Sequence, residues 1–435
     1  MKKKFKTCKD LEGSLYIAPN EIRSCCKRFF FDNKMRGDAK LLTITDGKIP
    51  NSNDIKKARE KIFDEIQENK NEDCKGCIFL KETEIKPSFD SNVEYLSIEH
   101  HSVCNLRCNY CSEIYWGGKK SKYDVVEFVS TLNKRGSLNK CNQVVWGGGE
   151  PTLDKSFKNI FEEINSNANP AIYHRVFTNS VRYSEPLNDF LKKNIVKITT
   201  SIDAGTEETF KKVRGRHKLK EVFENLNRYS QNDPSKITVK YIFTAENKNE
   251  QELNEFVNNC KKYDLTECNY QISTNYKSEM LDFDVIKSIA YLFFKLSNIG
   301  IKKIFLDDHI VVKYLSLDQK KLKELKKYLR LFKADDLILN PKNFEKIIVY
   351  GAGIIGRSLI SKSNFFRNIK NFKIIDKNKD LIGKEIYNKT VSSPEIIKHS
   401  DEKIFIASAA HYDDIFKSIV SVKGDANNIV SGLII

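Results

Sequence analysis

The sequence lacks a long uninterrupted run of apolar residues, which argues against a membrane-spanning helix. Its most apolar stretch, from Ile289 to Ile301, is interrupted by Lys295, Ser297 and Asn298 and is too short to cross a bilayer. The basic residues at the N-terminus are followed by a mixed polar segment and not by an apolar core, so we expect no signal peptide. Together these absences predict a soluble, cytoplasmic protein.

Internal repeats and low-complexity tracts are absent as well. Hydrophobic residues make up 40% and aromatic residues 11% of the 435-residue chain, enough to bury cores in about three domains. The net charge of +16 favours attraction to phosphates. Lysines nevertheless alternate with acidic residues along most predicted helices and form no dense basic block. The charge therefore gives no clear signal for nucleic acid, and no membrane partner is expected.

The cysteines are unevenly distributed. There are eleven, and an odd number without a signal peptide argues against a disulfide framework. Eight of the eleven lie within the first 111 residues, in tight local groups. In a reducing cytosol, such groups indicate ligands of a metal ion or an iron–sulfur cluster.

From about residue 93 to residue 307, short apolar runs typical of strands alternate with amphipathic segments typical of helices. Such alternation predicts parallel strands joined by right-handed crossovers. Six or more units favour an α/β fold with a partial (β/α)6-type TIM barrel, whose active site lies at the carboxyl ends of the strands. The predicted strands are Val93–Glu99, Gln143–Trp146, Ile172–Thr178, Lys197–Ile202, Ile237–Phe243, Tyr270–Ser273 and Lys303–Leu306.

The pattern divides the chain into four parts. Residues 1–89 form a small cysteine-rich domain, with a helix predicted from Asp54 to Asn69. Residues 90–310 form the barrel, and residues 311–342 a helical linker. Residues 343–435 return to strands and helices and are expected to form a small Rossmann-like domain.

Cys104, Cys108 and Cys111 share one loop directly after the first predicted barrel strand. Thiolates at spacings of four and three can bind three irons of a cubane and leave the fourth iron without a protein ligand. An electron-transfer cluster would normally be closed by a fourth cysteine. A zinc site or a set of buried cysteines is the other interpretation of this loop.

The loop resembles that of the radical S-adenosylmethionine (SAM) superfamily, and the resemblance covers roughly residues 90–310. It implies a 4Fe–4S cluster whose open iron chelates the amino and carboxylate groups of SAM. One electron then cleaves SAM into methionine and a 5′-deoxyadenosyl radical, which abstracts hydrogen from a substrate. A reductant such as flavodoxin or ferredoxin is the implied electron donor. No side chain is assigned a catalytic role.

The resemblance also implies which residues contact SAM. Tyr110 is the aromatic residue before the last cysteine and is expected near the adenine. Gly148, Gly149 and Glu150 follow the second strand, where glycine lets the backbone approach a ligand and the carboxylate accepts the ammonium group. At later strand ends, polar side chains contact the SAM carboxylate or ribose, and an arginine fork suits a carboxylate. These residues are Asn179, Ser201 and Arg214.

A second group of cysteines lies before the barrel. Cys74 and Cys77 are spaced as a local chelate, and Cys8 with either Cys25 or Cys26 would complete four ligands. The segment around Cys25 resembles the auxiliary-cluster (SPASM or twitch) domains of radical SAM enzymes, although those commonly follow the barrel. An auxiliary 4Fe–4S cluster, a structural zinc and a merely structural set of cysteines all remain open.

The C-terminal part contains a glycine-rich turn between a predicted strand and a predicted helix. Gly351, Gly353 and Gly356 fit the dinucleotide fingerprint, and Asp376 follows at the spacing of its acidic residue. The unit resembles small Rossmann-like modules of sugar-modifying and polysaccharide-biosynthesis enzymes. It is expected to bind a nucleotide or nucleotide-sugar, or to serve only in packing or dimerisation.

Two functions from different classes follow. The first is a radical SAM enzyme that acts on an unidentified substrate, either a carbohydrate or nucleotide-sugar, or else a peptide or protein. The second is a non-catalytic iron–sulfur protein that carries electrons or senses a nucleotide. The second predicts a closed first cluster and no cleavage of SAM.

Overall fold

The computed structural model describes residues 3–45, 47–112, 117–166, 169, 172–277, 282–307, 310, 318–331, 339–369, 371–408, 411–430, 432 and 434. The chain divides into two compact units. The first comprises Met1–Ile202 and Phe210–Thr238, and the second comprises Asp203–Thr209 and Val239–Ile435. Residues 311–317 and 332–338 of the predicted linker lie outside the described residues.

The strands, in chain order, are β1 (Phe5–Thr7), β2 (Ser14–Ile17), β3 (Glu21–Arg23), β4 (Arg28–Phe31), β5 (Lys34–Gly37), β6 (Lys40–Thr43), β7 (Lys81–Thr83), β8 (Tyr95–Ile98), β9 (Gln143–Trp146), β10 (Tyr173–Phe177), β11 (Val196–Ser201), β12 (Ile237–Phe243), β13 (Asn269–Thr274), β14 (Ile304–Leu306), β15 (Ile347–Tyr350), β16 (Phe372–Ile375), β17 (Glu385–Ile386), β18 (Lys389–Ser392), β19 (Lys403–Ile406) and β20 (Ile429–Val430).

The α-helices are α1 (Lys9–Gly13), α2 (Ser52–Gln67), α3 (Val125–Lys134), α4 (Phe157–Ser166), α5 (Glu185–Lys192), α6 (Glu207–Arg214), α7 (Leu219–Ser230), α8 (Glu250–Lys262), α9 (Phe283–Asn298), α10 (Gln319–Leu331), α11 (Ile354–Lys362), α12 (Asn364–Asn368) and α13 (Tyr412–Lys423). Short 3-10 helices cover Pro151–Leu153, Pro234–Lys236, Pro341–Asn343 and Pro394–His399. Among the described helices, none combines the length and the apolar character that crossing a membrane requires.

A central sheet organises the first unit, in the strand order β11-β10-β9-β8-β2-β3-β6. Strands β8 to β11 run parallel in sequential order. The predicted α/β class is therefore confirmed, and each strand predicted between residues 93 and 307 is present. In the described part of this unit no pairing joins β6 to β11, so its sheet is open, which is consistent with a partial barrel.

The N-terminal segment contributes to this sheet. Strand β2 pairs in parallel with β8, and β3 pairs antiparallel with β2. The sequence pattern did not predict this pairing. Helix α2 spans Ser52–Gln67, two residues earlier at each end than predicted, and the capping box of Asn51 and Asp54 sets its start. Its apolar side packs in a buried cluster with Leu11 and Phe89.

The crossover helices bury one face each against the sheet. In α4, Phe157, Phe161 and Ile164 are buried at helical spacing. Helix α5 begins at Ser184, whose side chain accepts a hydrogen bond from the Leu187 amide. Since the crossovers keep the strands parallel, the loops after β8, β9, β10 and β11 meet at one edge of the sheet.

The second unit contains the neighbouring strands β14, β13 and β12 and a C-terminal sheet in the order β17-β18-β16-β15-β19-β20. In the C-terminal sheet, β15 pairs in parallel with both β16 and β19. Phe305 in β14 stacks on Tyr412 of α13 with ring centroids 5.5 Å apart. The return to strands and helices that the sequence predicted after residue 343 is therefore observed.

Candidate active site

The three-cysteine loop is held in place by backbone hydrogen bonds. The amides of Arg107 and Asn109 donate to the carbonyls of Arg214 and Val213, at 2.9 and 3.0 Å. The amide of Cys111 donates to the carbonyl of Cys108 at 3.1 Å and closes the turn. Cys104, Cys108 and Cys111 are half-buried, and none of the three is in a disulfide. Burial raises the pKa of the Cys104 thiol above its ordinary value.

The loop forms one wall of a cavity of about 230 Å³. Every residue that the sequence assigned to the first cluster or to SAM lines it: Cys104, Cys108, Tyr110, Cys111, Gly148, Gly149, Glu150, Asn179, Ser201 and Arg214. The remaining lining residues are Leu106, Arg107, Gly117, Phe177, Thr178 and Thr199. Residues spread over about a hundred positions of the chain therefore converge on one site.

The glycine-rich segment after β9 packs directly against the cysteine loop. The Gly149 amide donates to the carbonyl of His101, and the Glu150 amide donates to the carbonyl of Val103, both at 2.8 Å. A Cβ atom at Gly149 would lie 2.3 Å from the Val103 carbonyl oxygen. Gly148 has a φ of 84°, which favours glycine. The close approach of the two backbones thus requires glycine here.

Glu150 is buried at the base of this cavity. Its carboxylate accepts hydrogen bonds from the Asn179 amide at 2.6 Å, the Thr178 hydroxyl at 2.8 Å and the Thr152 hydroxyl at 2.7 Å. Burial raises the pKa of the Glu150 carboxyl above its ordinary value, although these hydrogen bonds oppose that shift. Glu150 therefore joins the glycine-rich segment to the end of β10.

Polar side chains from β10 and α6 complete the walls. Asn179 donates to the side-chain oxygen of Asn105 at 2.6 Å and to the Cys104 thiol at 3.6 Å. Arg214 is buried and donates to the Tyr110 hydroxyl. The Arg214 guanidinium also lies 5.7 Å from the centre of the Tyr110 ring. One cation and one aromatic ring are thereby paired at the cavity.

A histidine pair beside the site was missed by the sequence analysis. The ring of His100 lies 2.8 Å, through Nε2, from a carboxylate oxygen of Asp154. His101 is buried next to it, and the potential ligand atoms of His100, His101 and Asp154 lie within 4.8 Å of one another. The group connects the segment before the cysteine loop to the turn after Glu150. The adjacent histidines were the available signal, but nothing local pointed to Asp154.

The N-terminal cysteines form a second group within the first unit. Cys8, Cys25, Cys74 and Cys77 line one narrow cavity of about 20 Å³. Cys26 does not line it and is hydrogen-bonded to Tyr16 instead. Burial raises the pKa of the Cys8 thiol to about 12. Of the two possibilities raised by the sequence, the structure brings Cys25 into the group of four.

The C-terminal glycine-rich turn is hydrogen-bonded to Asp376 at the end of the next strand. Asp376 accepts hydrogen bonds from the Ala352 amide at 2.7 Å and the Asn378 amide at 2.8 Å. A Cβ at Gly356 would lie 1.9 Å from the Gly351 carbonyl oxygen, so tight helix–strand packing explains this glycine. Gly353 has open space around it. Nucleotide binding at this turn stays a prediction.

One region of the chain is similar to a known protein family. The sequence model of the radical SAM superfamily matches residues 98–260. A GTP 3′,8-cyclase of Actinobacillus succinogenes is 28% identical over 166 residues, covering 38% of this chain and 48% of that protein. A GTP 3′,8-cyclase of Desulforamulus reducens is 27% identical over 144 residues, covering 32% and 43%. The chain thus spans about half the length of the curated relatives it matches.

The solved structures that are similar to this chain share little sequence identity with it. Streptococcus suis SuiB bound to S-adenosylmethionine is 13% identical with a TM-score of 0.43, covering 62% of this chain and 60% of that one. Native anSMEcpe with bound AdoMet is 20% identical with a TM-score of 0.38, covering 48% and 63%. The family match is the finding on which the assignment rests. Residues 98–260 of this chain match the sequence model of the radical SAM superfamily.

Proposed function

We propose that this chain is a radical SAM enzyme in which Cys104, Cys108 and Cys111 hold the SAM-binding 4Fe–4S cluster. The observation that carries the proposal is the convergence of three thiols and the glycine-rich segment on one cavity. Within the described residues, the lining contains no fourth cysteine and no histidine. Such a donor set suits a cluster with one iron left open to a ligand.

The residues present fit the cluster and SAM. Thiolates are the ligands that iron–sulfur clusters use, and the Gly149 backbone leaves room where a side chain would collide with Val103. When bound, the cluster and SAM supply a 5′-deoxyadenosyl radical that takes a hydrogen atom from the substrate. The residues of this chain would bind SAM, orient it and compensate its charges.

We assign these tasks from the geometry of the cavity. Glu150 compensates the ammonium group of SAM, since a cation beside a buried carboxylate stabilises its ionised form. Arg214 pairs with the SAM carboxylate and is oriented by Tyr110. Asn179 and Ser201 offer hydrogen bonds to the remaining polar atoms. Gly148 and Gly149 present backbone to the ligand.

We also propose that Cys8, Cys25, Cys74 and Cys77 hold a second metal centre. Four thiols around one cavity form a complete ligand set for an auxiliary 4Fe–4S cluster or a structural zinc. Only an iron–sulfur cluster could exchange electrons with a substrate radical. Metal analysis distinguishes the two, because the cluster contributes iron and sulfide whereas the other site contributes zinc alone.

The substrate that we propose is a carbohydrate or a nucleotide-sugar, with a peptide or protein as the alternative. The curated relatives are named for a reaction of GTP, which supports a nucleotide-bearing small molecule. A flavodoxin or ferredoxin is the proposed electron donor.

The test is anaerobic reconstitution with iron and sulfide, reduction with dithionite, and detection of 5′-deoxyadenosine after addition of SAM. Cys104→Ala is expected to abolish the product and to lower the iron content, whereas Cys141→Ala, at a buried cysteine outside the cavity, preserves both. A wild-type protein that forms no 5′-deoxyadenosine, with unchanged iron in Cys104→Ala, would contradict the proposal. That result would favour the non-catalytic iron–sulfur protein instead.

A further inference from the structure

Two cations lie side by side on the sheet face that lines the cysteine cavity. In the register of β10 and β11, Arg175 is the partner of Lys197, and Phe177 is the partner of Thr199. Alternate residues of a strand share a face, so Arg175 lies on the face of Phe177, and Lys197 on that of Thr199. Phe177 and Thr199 line the cavity. The two cations therefore lie on the same wall of the cavity. They are two residues, or roughly 7 Å, from Phe177 and Thr199 toward the amino ends of the strands.

Arg175 has no partner among the described residues to account for its position. It is half-buried in the sheet and makes no hydrogen bond or ion pair with any residue that the structure describes. A guanidinium partly withdrawn from water normally finds acceptors for its N–H groups. Its position therefore favours an external anion.

Lys197 is held beside it. The side chain is half-buried, and its ammonium lies 5.3 Å from the centre of the Tyr173 ring on the neighbouring strand. Adjacent strands are about 4.8 Å apart, so one multidentate anion can reach both cations. A fork of N–H donors beside a compact ammonium suits a phosphate group, whose oxygens point in several directions.

Two carboxylates of the first unit, Glu99 and Glu150, have hydrogen-bond donors of their own. Glu99, which follows β8, accepts a hydrogen bond from the Ser97 hydroxyl at 2.8 Å. Burial raises the pKa of its carboxyl, and the positive charges of Arg23 and Arg28 oppose that shift. Glu150 is surrounded by Thr152, Thr178 and Asn179. Glu99 and Glu150 are thus held by hydrogen bonds from neutral groups of the protein.

We propose that Arg175 and Lys197 bind a phosphate group of the substrate, so that the substrate is a phosphorylated small molecule such as a nucleotide or nucleotide-sugar. This inference rests on the proposed function, because hydrogen abstraction requires the substrate to lie against the SAM site. The phosphate would anchor the substrate on β10 and β11 while the rest extends toward Phe177 and Thr199.

The test measures binding of inorganic pyrophosphate and of GTP to the reconstituted enzyme by calorimetry, with guanosine and a glutamate-rich peptide as further probes. Arg175→Gln, Arg175→Ala and Lys197→Ala are each expected to weaken pyrophosphate binding about tenfold or more. Lys193→Ala, at an exposed lysine after α5, serves as the matched control and keeps the wild-type affinity. Unchanged iron content and circular dichroism establish that the variants fold.

Absence of pyrophosphate binding by the wild type, or equal binding by Arg175→Gln and Lys193→Ala, would overturn the inference. Binding of the acidic peptide alone, with the same dependence on Arg175, would overturn it in favour of a peptide substrate. The 5′-deoxyadenosine assay separates this inference from the proposed function. Arg175-dependent pyrophosphate binding without SAM cleavage would refute only the proposed function, and the reverse result would refute only the phosphate site.

Discussion

Glu150 has a structural role in addition to the ligand-binding role that we propose for it. Its buried carboxylate accepts hydrogen bonds from neighbours on two loops. These donors fix its orientation before any ligand arrives. The ammonium group of SAM would then meet a charge that needs no rearrangement, which is the arrangement that favours tight binding.

Glu150→Gln is expected to destabilise the protein by about 1–3 kcal/mol, because an amide N–H₂ would face donors that need an acceptor. Urea denaturation under anaerobic conditions measures this change. Glu162→Gln, on the exposed side of α4, is the control and should change the free energy of unfolding by less than about 0.5 kcal/mol. Equal stability of the two variants would show that the Glu150 carboxylate is not needed by its neighbours.

Gly149 and Gly147 are expected to respond differently to alanine. A Cβ at Gly149 would lie 2.3 Å from a backbone oxygen, whereas one at Gly147 would lie 3.7 Å from its nearest neighbour, the Glu99 side chain. Gly149→Ala should therefore lower the melting temperature and the iron bound after reconstitution, and Gly147→Ala should leave both near the wild-type values. Similar losses in both variants would mean that the close approach to Val103 is not the reason for glycine.

At the scale of elements, each of the two cysteine-lined cavities is assembled from loops that are distant in sequence. The SAM cavity takes one loop after each of β8, β9, β10 and β11. The N-terminal cavity combines Cys8 before α1, Cys25 after β3, and the Cys74/Cys77 turn after α2. Cys25 lines this cavity and its neighbour Cys26 does not, so Cys25 is the residue that can complete the group of four.

Cys74→Ala is expected to remove the second metal centre while preserving the first. If that centre is a cluster, the iron content should fall by about four atoms per chain. Cys26→Ala is the matched control and should retain the wild-type metal content. Anaerobic analysis of iron, sulfide and zinc measures the metal content of both variants. A loss of metal in Cys26→Ala with none in Cys74→Ala would contradict the assignment of Cys25 to the site.

At the scale of the whole molecule, two buried histidines are expected to make the free energy of unfolding depend on pH. Burial lowers the pKa of His174 to about 3 and that of His101 to about 4. His174 accepts a hydrogen bond from the indole of Trp146 at 3.0 Å and is fully buried. Both histidines are neutral in the folded protein, but they take up a proton near pH 6.5 once the chain unfolds.

The unfolded chain therefore binds more protons than the folded one between about pH 6.5 and pH 4, and stability falls as the pH falls through this window. Each histidine contributes a slope of about 1 kcal/mol per pH unit. Urea denaturation at several pH values should show a shallower dependence in His174→Gln than in the wild type. The exposed His217→Gln is the control, and parallel curves for the two variants would rule out His174 as a source of the pH dependence.

Local patterns predicted much of this molecule. The strands from β8 to β14 were found at nearly their observed bounds, because apolar runs between amphipathic helices have few other solutions. The residues assigned to SAM converge on one cavity, since parallel strands bring their carboxyl ends to the same edge. The pairing of β2 with β8 was not predicted, because β2 is short and its partner lies about eighty residues away.

The sequence by itself determined the three-thiol loop and the glycine-rich turn, because their geometry depends on spacings of a few residues. Only the tertiary structure decided that Cys25 and not Cys26 joins the second site, that Asp154 reaches His100, and that Arg175 lies beside Lys197. These relations depend on strand register and on which segments pack together. Both are set by burial over the whole sheet, and no local pattern of residues records them.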